Sequence, residues 1–303
     1  MFQPRPVCGT DERIDFHHHL LLGACREELE TAFQTNLPDF RAFCPPHTQP
    51  LERLNEWIRQ YYAPLCQRSD FLDVVLASVF RQALRDHQVR LESSLDVTAP
   101  RLFQKTPQQL LEKIQTVHQE VAPQMEFFLD LGFSRRVPLP ILQKAFETFL
   151  SAPLADTMVG GIDLYDQEDA QPPEVFRPLY QMAKSAGLLC KAHVGEFGTP
   201  ESVRHTVEVL ELDEIQHGIQ IYRSLEVTRW IAERNIPLNL APASNQILGA
   251  VDWNTSPHPL EILSSEGVRF TINTDDFLLF HASIQEQEKI YLPTRKRNLP
   301  RLP

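Results

Sequence analysis

Apolar residues along the chain fall into short runs of strand length, separated by longer stretches where they recur every three or four positions. Eight runs read as strands: Arg13–Phe16, Val89–Leu95, Met125–Phe133, Val159–Leu164, Leu188–His193, Glu214–Gln216, Ile236–Leu240 and Arg269–Asn273. Helix signals lie between them. Gln108–Val121 and Glu174–Ser185 carry apolar residues at helical spacing. Thr199-Pro200-Glu201 offers an N-cap with proline at the first helical position, and Ser224 can cap Leu225–Arg234 before Asn235-Ile236-Pro237 stops it. Strands alternating with helices predict an α/β protein with a parallel sheet, and eight units predict closure into a (β/α)₈ TIM barrel. Periodicity alone does not separate a closed barrel from an open doubly wound sheet. No GxGxxG follows any of the runs, which removes weight from a dinucleotide-binding version.

The first interval breaks the rhythm. Roughly seventy residues separate the first two runs, far more than one crossover helix needs. Within it Arg26–Phe33, Leu51–Tyr62 and Phe71–Asp86 look helical, so residues 24–88 are expected to form a helical insertion lying as a lid over the barrel mouth. An elaboration with no part in chemistry is the plainer alternative. The 303 residues are expected to form a single barrel domain, 1–303, a length at which one-domain α/β barrels are common.

A net charge of −11 argues against a nucleic-acid surface, which needs a Lys/Arg stripe to neutralise phosphates. The one basic run, Arg295, Lys296, Arg297 and Arg301, is short, laced with proline and reads as a solvated tail. The five cysteines, Cys8, Cys25, Cys44, Cys66 and Cys190, are odd in number and form no CxxC. With an N-terminus lacking an apolar core, they predict a cytoplasmic protein with reduced thiols. No stretch approaches the ~18–20 continuous apolar residues of a membrane span.

Polar residues gather at the C-terminal ends of the predicted strands, where barrel enzymes place their catalytic groups. The first run ends in His17-His18-His19. Side chains alternate on a strand, so His17 and His19 share one face and can reach one metal ion, while His18 points away. The fifth ends in His193-Val194-Gly195-Glu196, the sixth in Gln216-His217-Gly218 and the eighth in Asn273-Thr274-Asp275-Asp276. Imidazoles and a carboxylate suit Zn²⁺ with a position left for water, whose pKa the metal brings to roughly 7. A nearby Glu and His can move protons. Each feature is weak alone: a strand-end histidine is more often structural, three histidines near an N-terminus can be a purification remnant, and Asp275-Asp276 can cap a helix. Their joint occurrence on strands one, five, six and eight carries the reading.

That ordered set resembles the adenosine deaminase family of metal-dependent hydrolases, from about Arg13 to Asp276. The family's H-x-H, H-A-G-E, G-H-G and T-D-D appear here in order as His17–His19, His193–Glu196, Gln216–Gly218 and Thr274–Asp276. Gly160-Gly161-Ile162-Asp163-Leu164 and Asn239–Gly249 look like two further family elements. The resemblance implies one Zn²⁺ per chain, held by His17, His19, His193 and Asp275. It implies Glu196 as proton donor to the ring nitrogen beside the attacked carbon, and His217 as the residue that orients or deprotonates the water. Asp276 would bond the imidazole side of a purine, with Gly195 also at the substrate. The implied reaction is hydrolytic deamination of an adenine-containing small molecule, a purine nucleoside or base. Its alternative is a catalytically silent binder of metal or nucleoside.

Departures cluster on substrate recognition. The family's Leu-Asp-Gly or Leu-Glu-Gly is Leu20-Leu21-Leu22-Gly23 here, so Leu21 offers a sugar no carboxylate. Tyr165-Asp166-Gln167-Glu168 replaces Ala-Gly-Asp-Glu, and a side chain at Asp166 is expected to hinder the close backbone approach that glycine allows. Phe277 stands where proline is common, and the chain stops soon after Tyr291. A C-terminus shortened in this way is expected to bare part of the barrel's outer wall, to be covered by the N-terminal arm or by another chain in a homo-oligomer.

Overall fold

All eight expected strands are present in the computed structural model, which describes residues 12–43 and 49–291. They are β1 Arg13–Asp15, β2 Gln88–Asp96, β3 Glu126–Ser134, β4 Val159–Tyr165, β5 Leu189–Val194, β6 Glu214–His217, β7 Leu238–Leu240 and β8 Phe270–Ile272. They form one parallel sheet in the order β1 to β8. Closure comes just beyond the ends of β1 and β8. His18 bridges Asp275 in parallel, with the Asp275 N–H on the His17 carbonyl at 2.9 Å and Phe16 N–H on Asn273 Oδ1 at 2.8 Å. The barrel is therefore sealed at the rim that carries the chemistry.

Two-residue alternation sorts the strands. On β5, Cys190, Ala192 and Val194 join the apolar core while Lys191 and His193 serve the polar interior. The interior is unusually polar in its lower layer. Lys191 Nζ lies between Asp130 (2.7 Å) and Glu92, all three buried, and Asn239 Nδ2 donates to Glu214 at 2.8 Å.

The expected caps hold. Thr199 Oγ1 accepts from Ser202 N–H at 3.1 Å to start helix Pro200–Leu210, and Ser224 Oγ accepts from Val227 N–H at 3.4 Å. Between β1 and β2 stand helices Arg26–Phe33, Phe40–Phe43, Pro50–Trp57 and Phe71–Arg85, with a π-helical turn Ile58–Tyr62 where the sequence reads as continuous helix. Phe33, Phe71, Phe40 and Trp57 join this layer to the main core.

The outer wall near the chain's end is less bare than the sequence suggests. Helix Ile284–Tyr291 buries Ile284, Gln287 and Tyr291. Gln287 donates to the Asn273 carbonyl at 2.8 Å and accepts from Ala243 N–H at 2.9 Å, and Glu288 pairs with Arg13 at 3.4 Å. This helix fastens β8 to β1 and covers part of that wall, with Ile290 on its outer side left exposed. The N-terminal arm and the basic run lie outside the described residues. Among the described residues Cys25, Cys66 and Cys190 are free, and no helix is long and apolar enough to cross a membrane.

Candidate metal centre and its cavity

His17 and His19 follow β1 on the inward phase set by Asp15, whose carboxylate accepts from His17 N–H at 3.2 Å. His18 takes the opposite phase. Its Nδ1 lies 2.7 Å from Ser93 Oγ, and its ring sits so close beneath Gly23 that a Cβ there would fall 1.8 Å from Nε2. The three histidines are thus built into the barrel, two inward and one packed behind.

The inward pair meets residues from β5 and from the segment after β8. His193 Nε2 lies 3.1 Å from His17 Nε2 and 3.2 Å from His19 Nε2, and Asp275 Oδ1 is 3.6 and 3.4 Å from the same two nitrogens. The other ring nitrogens fix the tautomers. His17 Nδ1 faces the Asn239 carbonyl at 3.0 Å, which can only accept, so Nδ1 carries the hydrogen and Nε2 turns a lone pair inward. His193 Nδ1 faces Asp163 at 3.0 Å, and Asp163 also accepts from Ser94 Oγ. Although burial disfavours its charge, His193 and the bonds it receives hold the Asp163 carboxyl well below the ordinary range.

Lone pairs aimed at one another from 3.1 Å do not bond; a cation among them satisfies all of them. The electrostatics agree. Burial and neighbouring rings push His17 down to about 4 and lower His19. At His193, by contrast, Asp163 and Asp275 outweigh the burial penalty and raise the pKa, so the cluster favours positive charge at that point. Two overlapping donor sets converge there, His17 with His19 and Asp275, and His17 with His193 and His217. These residues fit a divalent ion of the zinc type, with the carboxylate–histidine support such ligands require.

Glu196 and His217 stand beside the cluster. His217 Nε2 is 3.6 Å from Glu196 Oε2 and 3.9 Å from Asp275 Oδ2, while Asn245 Nδ2 donates to its Nδ1 at 3.1 Å. In that amide orientation the ring hydrogen sits on Nε2 and points into the site. Burial, followed by the charges of His17, His193 and His19, keeps His217 neutral. Burial first, then Asp275, Glu168 and Asp276, raises the Glu196 carboxyl well above its usual value. Asp276 is raised in the same way, by burial and by Asp275. Glu196 Oε1 and Asp276 Oδ1 are buried without a hydrogen-bond partner, as groups awaiting a ligand are.

Above the cluster opens a cavity of about 240 Å³. Its floor carries His19, His193, His217, Glu196, Asp275 and Asp276, and its outer wall includes leucines of the inserted segment. Gly195 is not on that surface. Its N–H is donated to Glu168 at 2.7 Å, and its φ of +71° with Val203 2.4 Å from a would-be Cβ explains the glycine by the turn it makes. Asp166 lines the cavity. It keeps a left-handed backbone (φ +79°) and turns its carboxylate onto Ser134 Oγ at 2.8 Å and Arg136 at 2.9 Å. His217 and Asp275 are also left-handed, at φ 62° and 59°. Such residues cost about 1–3 kcal/mol each and collect at functional sites.

Sequence comparison decides what this arrangement is. The sequence model of the adenosine deaminase family matches residues 48–295. The chain belongs to the adenosine deaminase family. A Treponema pallidum protein named "Putative adenosine/adenine deaminase" is 31% identical over 280 residues, 92% of this chain and 90% of that one. An adenine deaminase of Zymomonas mobilis is 30% identical over 244 residues, 78% of this chain and 70% of its own. The crystal structure of adenine deaminase from Arthrobacter aurescens superposes with a TM-score of 0.74 at 23% identity, covering 92% of this chain and 87% of that one. The family match begins after β1, so His17 and His19 are joined to it by the fold rather than by that alignment.

Several residues of the site escape a reading of the sequence: Asp163, Asn239 and Asn245, which set the imidazoles, and Glu168, which holds the Glu196 segment. All sit inside the two further family-like stretches or in the departure after Leu164. For Asp163 a polar residue within an otherwise apolar strand run is the available signal, whereas Asn239 acts on His17 through its backbone carbonyl, which no side chain announces.

Proposed function

We propose that this member of the family hydrolyses the exocyclic amine of an adenine-type ring, with one zinc ion per chain held by His17, His19, His193 and Asp275. One observation carries the reading: the four donors converge, and three of them, His19, His193 and Asp275, line one cavity with two buried carboxyls, Glu196 and Asp276, each of which has an oxygen lacking a hydrogen-bond partner. When bound, the ion supplies an acidified water for attack at neutral pH.

The chain's own groups do the rest. Adenine flanks its amine-bearing carbon C6 with two acceptors, N1 and N7. Burial keeps protons on Glu196 and Asp276, so each can donate, Glu196 to N1 and Asp276 to N7. Protonating N1 draws electrons from C6 as the water oxygen adds there. His217 presents Nε2–H to that oxygen and orients it. The C6–N bond then breaks, the amine leaves as ammonia with one proton of the added water, the other returns to the Glu196 carboxylate, and a C6=O, N1–H ring remains. A net charge of −11 supports a small molecule over nucleic acid as partner. The odd cysteine count and the free described thiols support a reducing, cytoplasmic setting.

The test is metal analysis of the purified protein, followed by ammonia release from adenine, adenosine and deoxyadenosine. Glu196→Gln is expected to keep fold and metal and lose about 10²–10⁴-fold in kcat. Wild-type rates from that variant would remove Glu196 as the donor. Bound metal with no ammonia from any adenine compound would instead favour the silent binder.

A further inference from the structure

Resting on that reading, the geometry points to an adenine substituted at N9 by an uncharged, apolar group as the compound this site takes best. With C6 over the metal cluster and N1 and N7 between Glu196 and Asp276, N9 faces away from the floor. The wall it then meets is made by Leu21, Leu51, Leu54, Ile58, Leu248 and Phe280. Three of these come from helix Pro50–Trp57 and the π-turn after it, and Leu21 is pinned there through its carbonyl, which accepts from the Tyr62 hydroxyl.

The carboxylates at the same level each already accept three bonds. Asp96 accepts from Thr98 N–H at 2.7 Å, Thr98 Oγ1 at 2.6 Å and Tyr165 OH at 2.5 Å. Asp166 is held by Ser134, Arg136 and its neighbour Gln167 N–H at 2.8 Å. Among the described lining residues Asn55 is the remaining polar side chain at the mouth, and none is a lysine or arginine. Arg136 stands behind the wall on Asp166, and Arg41 bonds the Phe280 carbonyl. A hydroxyl pressed on the leucines would lose its water for little return, roughly 1–3 kcal/mol. A phosphate would meet carboxylates without a free cation. Free adenine would leave its own N9–H unmatched against the same wall.

A matched series tests this: adenine, 9-propyladenine, 9-(3-hydroxypropyl)adenine and the phosphate ester of the last, each followed by ammonia release. The propyl compound is expected to exceed the hydroxypropyl one in kcat/KM by about tenfold and the phosphate by about hundredfold or more, with adenine below propyl. Leu51→Ala should lower the propyl value several-fold and narrow the advantage of the propyl over the hydroxypropyl compound. Equal or better turnover of the hydroxyl or phosphate compound, with adenine still deaminated, would overturn the apolar assignment and leave the deaminase reading standing. Ammonia from none of the four would overturn both.

Discussion

His193 owes its working tautomer to a residue thirty positions earlier on a neighbouring strand. Asp163 on β4 fixes the Nδ1 hydrogen and so directs Nε2 at the metal position, and the Asn239 carbonyl does the same for His17. The inward-facing pair is legible in the chain, because two-residue alternation puts His17 and His19 on one face whatever the rest of the fold does. Their supports are not, since which strand lies beside which is a property of the closed sheet. Replacing Asp163 with Asn keeps the shape and removes the charge. It is expected to weaken metal retention about 10–100-fold, measured by competition with a chelator of known affinity. Unchanged retention would mean that Asp163 orients nothing that matters to the ion.

At the level of elements, the loop after β5 shows how one side chain can hold a backbone in place. The Glu168 carboxylate accepts four successive N–H groups, from Gly195, Glu196, Phe197 and Gly198, at 2.7 to 3.1 Å. A carboxylate has acceptors for all of them, whereas an amide presents hydrogens of its own to half. Glu168→Gln is therefore expected to lower kcat about 10–100-fold with metal content unchanged, since only the placement of Glu196 is disturbed. Steady-state kinetics beside metal analysis would show it, and a full rate would release the loop from that anchor. In the loop after β4, Asp166 shows how a sequence departure is accommodated. Glycine is expected there for its conformation, and the conformation is retained at φ +79° because Ser134 and Arg136 take the added carboxylate. A sequence shows the substitution without showing the compensation.

Across the molecule, eight strand runs could be read off because each is short, apolar and separated from the next by helical spacing. Closure could not, because it rests on backbone bonds between the segments after β1 and β8, near residues chosen for chemistry. The interior beneath the site has a charge balance of its own. Lys191 stands between Glu92 and Asp130, and burial, against the pull of Lys191 and with the push of Glu92, raises Asp130 to about 6. Lys191→Met would leave two buried carboxylates without their cation, at an expected cost of roughly 3–5 kcal/mol in urea unfolding at pH 7. Lys191 holds Asp130 down, so without it the folded carboxyl lies above the wild-type value of about 6, and the deficit should shrink as the pH falls toward 6, where the variant takes up a proton that the wild type does not. A deficit constant from pH 8 to 6 would show that the loss is one of packing.

The proposed metal donors act on the same scale, because His17 and His19 after β1, His193 on β5 and Asp275 after β8 span the seam where the barrel closes. An ion bound only by the folded chain adds about 2.7 kcal/mol when present at roughly a hundred times its dissociation constant. In a chain of this length that corresponds to a shift in Tm of about 4 °C. Chelation should lower the melting temperature of the wild type by that order, and zinc should restore it. Asp275→Ala, with the seam's carboxylate donor gone, should melt at nearly the same temperature with chelator or with zinc. A wild type indifferent to the chelator after verified metal removal would mean that the four donors meet without drawing the two ends of the sheet together. The β1–β8 seam would then rest on its backbone bonds alone.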